Sequence, residues 1–320
     1  MSANVESMFS VREKPWHYAQ TKEVTKIIQE APTSKDALIA AGLNWNVNSA
    51  PVYQENGLII PRYKANVRDK DNKVLGIVSE RYKIVQNSEA FEFTDSLIGE
   101  TEFGKVRYET AGSLNGGRKI WLLAKMPNRK VLDDDFEPYI CFANSFDGSG
   151  AVQVCATPVR VCCSNTLNMA LNTAKRKWST KHVGDMQSKL EEAKLCLQLA
   201  DKYMNGLAEE AERLANTKLY KEQIDEILNE MFPVEEDASE RKKNNVKELK
   251  NQYYMCYVQP DIAKFIGTAY GAVNAMSDLV THSSPKRNTA NFNENRWGKI
   301  MDGHALLDQF VSLVNQKISV

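Results

Sequence analysis

A hydrolytic reaction needs a nucleophile with a base, a metal cluster or paired carboxylates, and this 320-residue chain can be searched for each. Cys162 or Cys163 and His182 flank an expected strand-to-helix turn and could supply a thiol and an imidazole, with Asp147 upstream. In a Val-rich strand, however, cysteines are more often small core residues. The four histidines, His17, His182, His282 and His304, stand far apart and none has a partner at HxxxH or HxH spacing. No metal or cofactor site is therefore expected, and no residue is assigned a catalytic role. Asp133, Asp134 and Asp135 point in different directions if consecutive in a strand, and read better as a loop turn. Gly112 to Lys119, GSLNGGRK, lacks the spacing of a phosphate loop and reads as a hairpin turn. Its Arg118 and Lys119 remain available to a nucleic-acid backbone.

The strongest chemical signal is cationic. Between Thr157 and Val183 there is no acidic residue, whereas Arg160, Lys175, Arg176, Lys177 and Lys181 are basic and Trp178 stands among them. Positive charge beside an aromatic ring suits a single strand of nucleic acid, where stacking is worth about 1–3 kcal/mol per base. Arg62–Tyr63, Arg81–Tyr82 and Arg107–Tyr108 lie on expected neighbouring strands and could line one groove, the alternative being ordinary solvated strand edges.

The chain as a whole is not a polycation: 41 basic residues balance 41 acidic ones. Anion binding then depends on local segregation of charge. Six cysteines without a CxxC pair read as free, buried thiols in a reducing compartment. The first residues lack the apolar core of a signal peptide, and no run approaches the roughly 20 apolar residues of a membrane span. A cytoplasmic protein without a membrane partner is expected.

The elements that must position these residues follow from periodicity. TSKDALIAAGL reads as a helix capped at Thr33 or Ser34 and ending at Gly42. PWH at Pro15 to His17 reads as an anchor for the N-terminal arm. GLIIPRYKANVRD, NKVLGIVSERYKIV, EFGKVRYETAGSL, GRKIWLLAKMP and EPYICFANS read as strands, with a hairpin turn at Lys70 to Lys73 and a helix over SEAFEFTDSLIG. NSFDGSG from Asn144 supplies a tight turn, AVQVCATPVRVCC a further strand, and Ser164 or Asn165 an N-cap. After Val183 the pattern is helical, with Leu190, Ala193, Leu197, Ala200, Met204 and Leu207 forming a core or coiled-coil stripe. VEEDASERKKNNVKELK reads as a charged linker or solvated helix, TAYGAVNAMSDLVTHSS and HALLDQFVSLVNQKI as helices, and PKRNTANFNENRWGK as a loop. The expected fold is α+β: an antiparallel or mixed sheet with helices on one face, followed by a helical C-terminal region. The expected divisions are an arm over residues 1–50, a core domain over 51–183 and helices over 184–320.

PWH, YKIVQN at Tyr82 to Asn87, TAGSLNGGRKIWLLAKMP, NSFDGS, TPVRVCCSNTLNMAL and GTAYGAVNAMSDLVTH resemble a phage and plasmid-like protein family whose domain has no known function. The resemblance covers nearly the whole chain and implies a gene of phages, prophages or plasmids, with no activity to carry over. Tyr18 stands where the family's PWHGLG has glycine, and Lys181-His182-Val183 replaces its HT pair. The order of sheet, helix and basic residues is also similar to single-strand annealing proteins of the Rad52 type, at the level of fold alone. Together these give the expected function: single-stranded DNA binding and strand annealing in phage or plasmid replication or recombination, by a homo-oligomer built through the helices after Lys189. Arg160, Lys175, Arg176, Lys177, Lys181, Arg118, Lys119 and Arg81 would hold phosphates, with Trp178 or Tyr82 supporting bases. The alternative is an interaction protein that binds a host defence or replication component, and the third reading is a hydrolase using a Cys/His pair.

Overall fold

Alternating side chains between Gly104 and Arg160 build the central sheet of this computed structural model, which describes residues 5–15, 17, 25–31, 33–95, 99–101, 104–160, 171, 176–193, 196–282, 299 and 303–318. In chain order the strands are β1 (Val5–Ser10), β2 (Lys26–Ile27), β3 (Val47–Tyr53), β4 (Ile59–Arg68), β5 (Val74–Ser79), β6 (Gly99–Thr101), β7 (Gly104–Leu114), β8 (Lys119–Lys125), β9 (Arg129–Val131), β10 (Asp134–Ser145), β11 (Val152–Arg160) and β12 (Lys177–Thr180). The large sheet runs β12-β11-β10-β8-β7-β1-β2, with β6 on β7 and β9 on β10, and β3-β4-β5 form a second sheet. All pairs are antiparallel except β1 with β2. The chain is α+β, with a mixed sheet, as its periodicity implies.

The helices are α1 (Ser34–Ala40), α2 (Asn87–Asp95), α3 (Met186–Ala193), α4 (Cys196–Ala215), α5 (Lys221–Met231), α6 (Glu240–Tyr257), α7 (Ala269–His282) and α8 (Ala305–Ile318). Thr33 caps α1 by accepting from the Asp36 amide, and Gly42 leaves it at φ 70°, a turn that a side chain would strain. The segment read as either a linker or a solvated helix is the helix α6, opened by Ser239 accepting from the Lys242 amide. The turn at Lys70 to Lys73 joins β4 to β5, and DGSG joins β10 to β11 with Gly148 at φ 77°.

Period-two alternation gives the large sheet two apolar faces. Phe9, Ala111, Leu122, Ile140, Phe142 and Val154 share a core with Leu190, Ala193, Met204, Leu207, Val273 and Phe310 from the helices. The stripe on α3 and α4 therefore packs on the sheet. Met8, Trp121, Leu123, Tyr139, Cys141 and Cys155 form a smaller cluster on the opposite face. Gly112 is required in β7, because a Cβ there would lie 2.5 Å from the Ser7 carbonyl oxygen and from the Trp121 ring.

Candidate nucleic-acid interface

Strand register decides which basic residues share an end of the large sheet. Leu114 pairs with Lys119, Ser145 with Lys119, and Val152 with Thr180, so the β7–β8 turn, the β10–β11 turn and the exit from β12 lie together. The small sheet docks on this end. The Asn66 side chain donates to the Phe146 carbonyl at 2.7 Å, and the Tyr82 hydroxyl donates to the Ser145 carbonyl. A Cβ on Gly76 would lie 2.4 Å from Asp147 Cα, so β5 and the DGSG turn touch backbone to backbone. Arg68 completes the join: it is nearly buried, grips Glu6 at 2.7 and 2.8 Å and Asp71 at 2.9 and 2.6 Å, and lies over the Trp45 ring. With two carboxylates satisfying it, Arg68 is a structural cation.

Around this joint four exposed basic segments converge. The Lys83 amide donates to the His182 carbonyl at 2.8 Å, and His182 Nδ1 lies 2.9 Å from the Lys83 carbonyl. The His182 ring stacks on Tyr82 at 4.4 Å between centroids. Phe146 donates its amide to the Arg118 carbonyl at 2.8 Å, and Glu80 donates its amide to the Arg62 carbonyl at 2.9 Å. Arg62, Arg81, Lys83, Arg118 and Lys181 are all exposed, and Lys119 is half-buried. None of the five exposed residues makes an ion pair among the described residues. Arg62 also holds φ 67°, which a non-glycine residue adopts only where its neighbours fix it. On the outward face of the small sheet Tyr63 and Ile77 are 55% and 58% exposed.

Several expected positions are elsewhere. Arg160 pairs with Phe136, at the opposite end of β10 from Ser145, about 30 Å away at about 3.4 Å per residue. It cannot share a phosphate track with Arg118 and Lys119 at that end; its side chain, and all of Lys175, lie outside the described residues. Tyr82 is buried, its ring covered by His182 and its hydroxyl engaged, so no face is open for a base. Burial also pushes the Tyr82 hydroxyl far above its ordinary value. Arg176 donates from its guanidinium to the Ala156 carbonyl at 3.0 Å, and Trp178 is half-buried against the main core. Lys177, the first residue of β12, lies opposite Cys155. The three Arg–Tyr pairs do not line one groove: Tyr108 is buried, and Arg107 pairs with Lys125 towards the Arg160 end. Lys83, Lys181 and Arg62 come into the site because of tertiary contacts; Lys83 carried no signal beyond its place after Arg81 and Tyr82.

The enzymatic readings find a different setting. Cys162 and Cys163 lie outside the described residues. Burial pushes the His182 imidazole below its ordinary pKa, against the carbonyl of Lys83. Among the described residues no three His, Cys, Asp or Glu side chains gather as a metal site. Burial holds His17 at about 3, a neutral core imidazole.

A charged cluster that sequence reading missed lies at the Arg160 end, on the smaller apolar face. Arg12 holds Glu137 through two hydrogen bonds at 2.9 and 2.7 Å and reaches Glu109 at 3.2 Å. Lys125 bonds Glu137 at 2.5 Å, and the Tyr139 hydroxyl lies 2.7 Å from Glu109 and 3.1 Å from Glu137. Burial raises Glu137, but the hydrogen bonds from Arg12 and Lys125 outweigh it and hold the carboxyl at about 2. Burial pushes the Glu109 carboxyl up. The signal was present as single charges inside apolar strands, Lys125 after LLA and Glu137 before PYICF.

A mixed antiparallel sheet carrying a strand-turn clamp and a helical cover defines an α+β domain. Residues 74–300 match a family described as a domain of unknown function (DUF932), and the chain belongs to it. No curated protein and no solved structure matches the chain.

Proposed function

We propose that this protein binds single-stranded nucleic acid, as part of phage or plasmid DNA replication or recombination, on the end of the large sheet where the small sheet docks. The observation that carries the reading is the convergence of Arg62, Arg81, Lys83, Arg118 and Lys181 around one joint, in a chain whose total charge is zero. Exposed cations that make no ion pair among the described residues retain their counterions until a polyanion replaces them, which makes binding favourable and salt-dependent. Tyr63 offers a ring beside Arg62 on which a base can stack. Annealing of two strands by a homo-oligomer is the extension of this reading.

The test is a mobility-shift titration with labelled single-stranded and duplex oligonucleotides. The triple variant Arg81→Glu, Arg118→Glu, Lys181→Glu should bind single strands at least about tenfold more weakly than wild type, and wild-type affinity should fall steeply between about 50 and 200 mM salt. Equal retardation of both proteins removes the site. The exposed apolar side chains Tyr53, Leu58, Ile59 and Ile77 favour a second reading, a mobile-element protein that docks on a host protein through the small sheet. Salt-insensitive capture of one protein without nucleic acid would support that reading instead.

A further inference from the structure

We propose that Cys141 and Cys155 form a dithiol site that a hydroperoxide oxidises to an intrachain disulfide joining β10 to β11. The two residues are direct cross-strand partners in the antiparallel register and belong to one apolar cluster on one face of the sheet. Opposed residues in an antiparallel pair have Cα atoms about 4.5–5.5 Å apart, inside the roughly 4.4–6.8 Å span of a disulfide. Both are buried thiols, at 0% and 1% exposure. The register therefore puts both sulfurs on one face of adjacent strands, where a single cross-strand bridge can join them.

The surroundings make the two sulfurs unequal. Hydrogen bonding from Cys141 pulls the Cys155 thiol below its ordinary value against its burial, with help from Arg176, Thr157 and Lys177. Thr157 Oγ1 lies 3.8 Å from Cys155 Sγ. Burial pushes the Cys141 thiol up, so Cys155 is the more readily deprotonated of the two. This is the division of roles that a dithiol needs. Access comes through β12, a four-residue edge strand of partly exposed residues whose Lys177 lies opposite Cys155.

The step balances with hydrogen peroxide as oxidant. The Cys155 thiolate attacks one peroxide oxygen, the O–O bond breaks, and Cys155 becomes a sulfenic acid as hydroxide leaves. That hydroxide takes the Cys141 proton and departs as water. The Cys141 thiolate then attacks the Cys155 sulfur, the S–S bond forms, the S–O bond breaks, and the second hydroxide leaves as water with the proton originally lost by Cys155. Two thiols are oxidised and one peroxide is reduced.

One tryptic peptide, Val131–Arg160, contains Cys141 and Cys155 and none of the other four cysteines. The full folded chain is treated with hydrogen peroxide, denatured, alkylated and mapped by mass spectrometry. The expected result is a Val131–Arg160 peptide lighter by two hydrogen atoms, unalkylated and restored by dithiothreitol. Cys256, half-buried and pushed up to about 12 by burial, is the internal reference and should react at least about tenfold more slowly. In Cys141→Ser, Cys155 should stop at a sulfenic acid that dimedone traps. If wild-type Cys141 and Cys155 stay as alkylatable as Cys256, or if Cys155 proceeds to sulfinic acid unlinked, the proposal is overturned. The wild-type map decides the matter even if the variant does not fold.

Discussion

Glu137→Gln and Glu109→Gln make the same small change in two carboxylates that share Tyr139 and Arg12, and the structure gives them different consequences. Glu137 is matched by two cations, and its carboxyl is held at about 2 against an ordinary 4.5. That difference corresponds to about 3 kcal/mol of stability at neutral pH, at about 1.4 kcal/mol per pKa unit. Part of that loss is Lys125, only 8% exposed, which is left without its ionic partner when the charge is removed. Glu109 is pushed up, so its folded environment favours the neutral acid, which glutamine imitates while still accepting from Tyr139. Urea unfolding at pH 7 should show Glu137→Gln losing about 3 kcal/mol and Glu109→Gln changing by less than about 1 kcal/mol. Because the folded pKa of Glu137 is depressed, its contribution is complete above about 4.5 and is lost as pH falls towards 2. The gap between wild type and Glu137→Gln should therefore close over that window. Equal losses in the two variants, or a gap that persists at pH 2, would refute the electrostatic argument.

Gly76→Ala should weaken both folding and single-strand binding, since its methyl group meets the backbone of Asp147 and neither strand nor turn can yield cheaply. Unfolding and mobility-shift measurements on that variant should show a loss of about 1–3 kcal/mol in stability, and an unchanged protein would show that the two sheets are not docked there. His17, held neutral at about 3, makes the folded state resist protonation below the ordinary value near 6.5. Wild-type stability should fall as pH drops from 6.5 towards 3, and His17→Phe should lack this component between pH 6.5 and 4.5; an identical slope in both proteins would contradict it.

Periodicity and turn chemistry carried much of the fold. Thr33 and Gly42 bracket a helix because a hydroxyl can cap an amide and glycine tolerates positive φ. Lys70 to Lys73 and DGSG form hairpin turns for the same local reasons. The alternation in GRKIWLLAKMP and EPYICFANS specifies strands, yet it could not specify their neighbours. The loss of Arg160 from the candidate site follows from that gap: Arg160 and Arg118 look interchangeable in sequence, but β10 separates them by its own length. Tyr82 looked like an exposed aromatic because alternation reports a strand's two faces and says nothing of what covers them.

By itself the amino-acid sequence determined the α+β class, the helical second half and a neutral total charge with basic segments. These depend on side-chain type and on spacing within about ten residues, which local sterics and burial read directly. Tertiary structure alone decided that Lys83 meets His182, that Arg62, Arg81, Arg118 and Lys181 gather at one joint, and that Cys141 faces Cys155. Such juxtapositions join residues up to about a hundred positions apart, and their pairing is fixed by strand order and register, which emerge only when the whole core is packed.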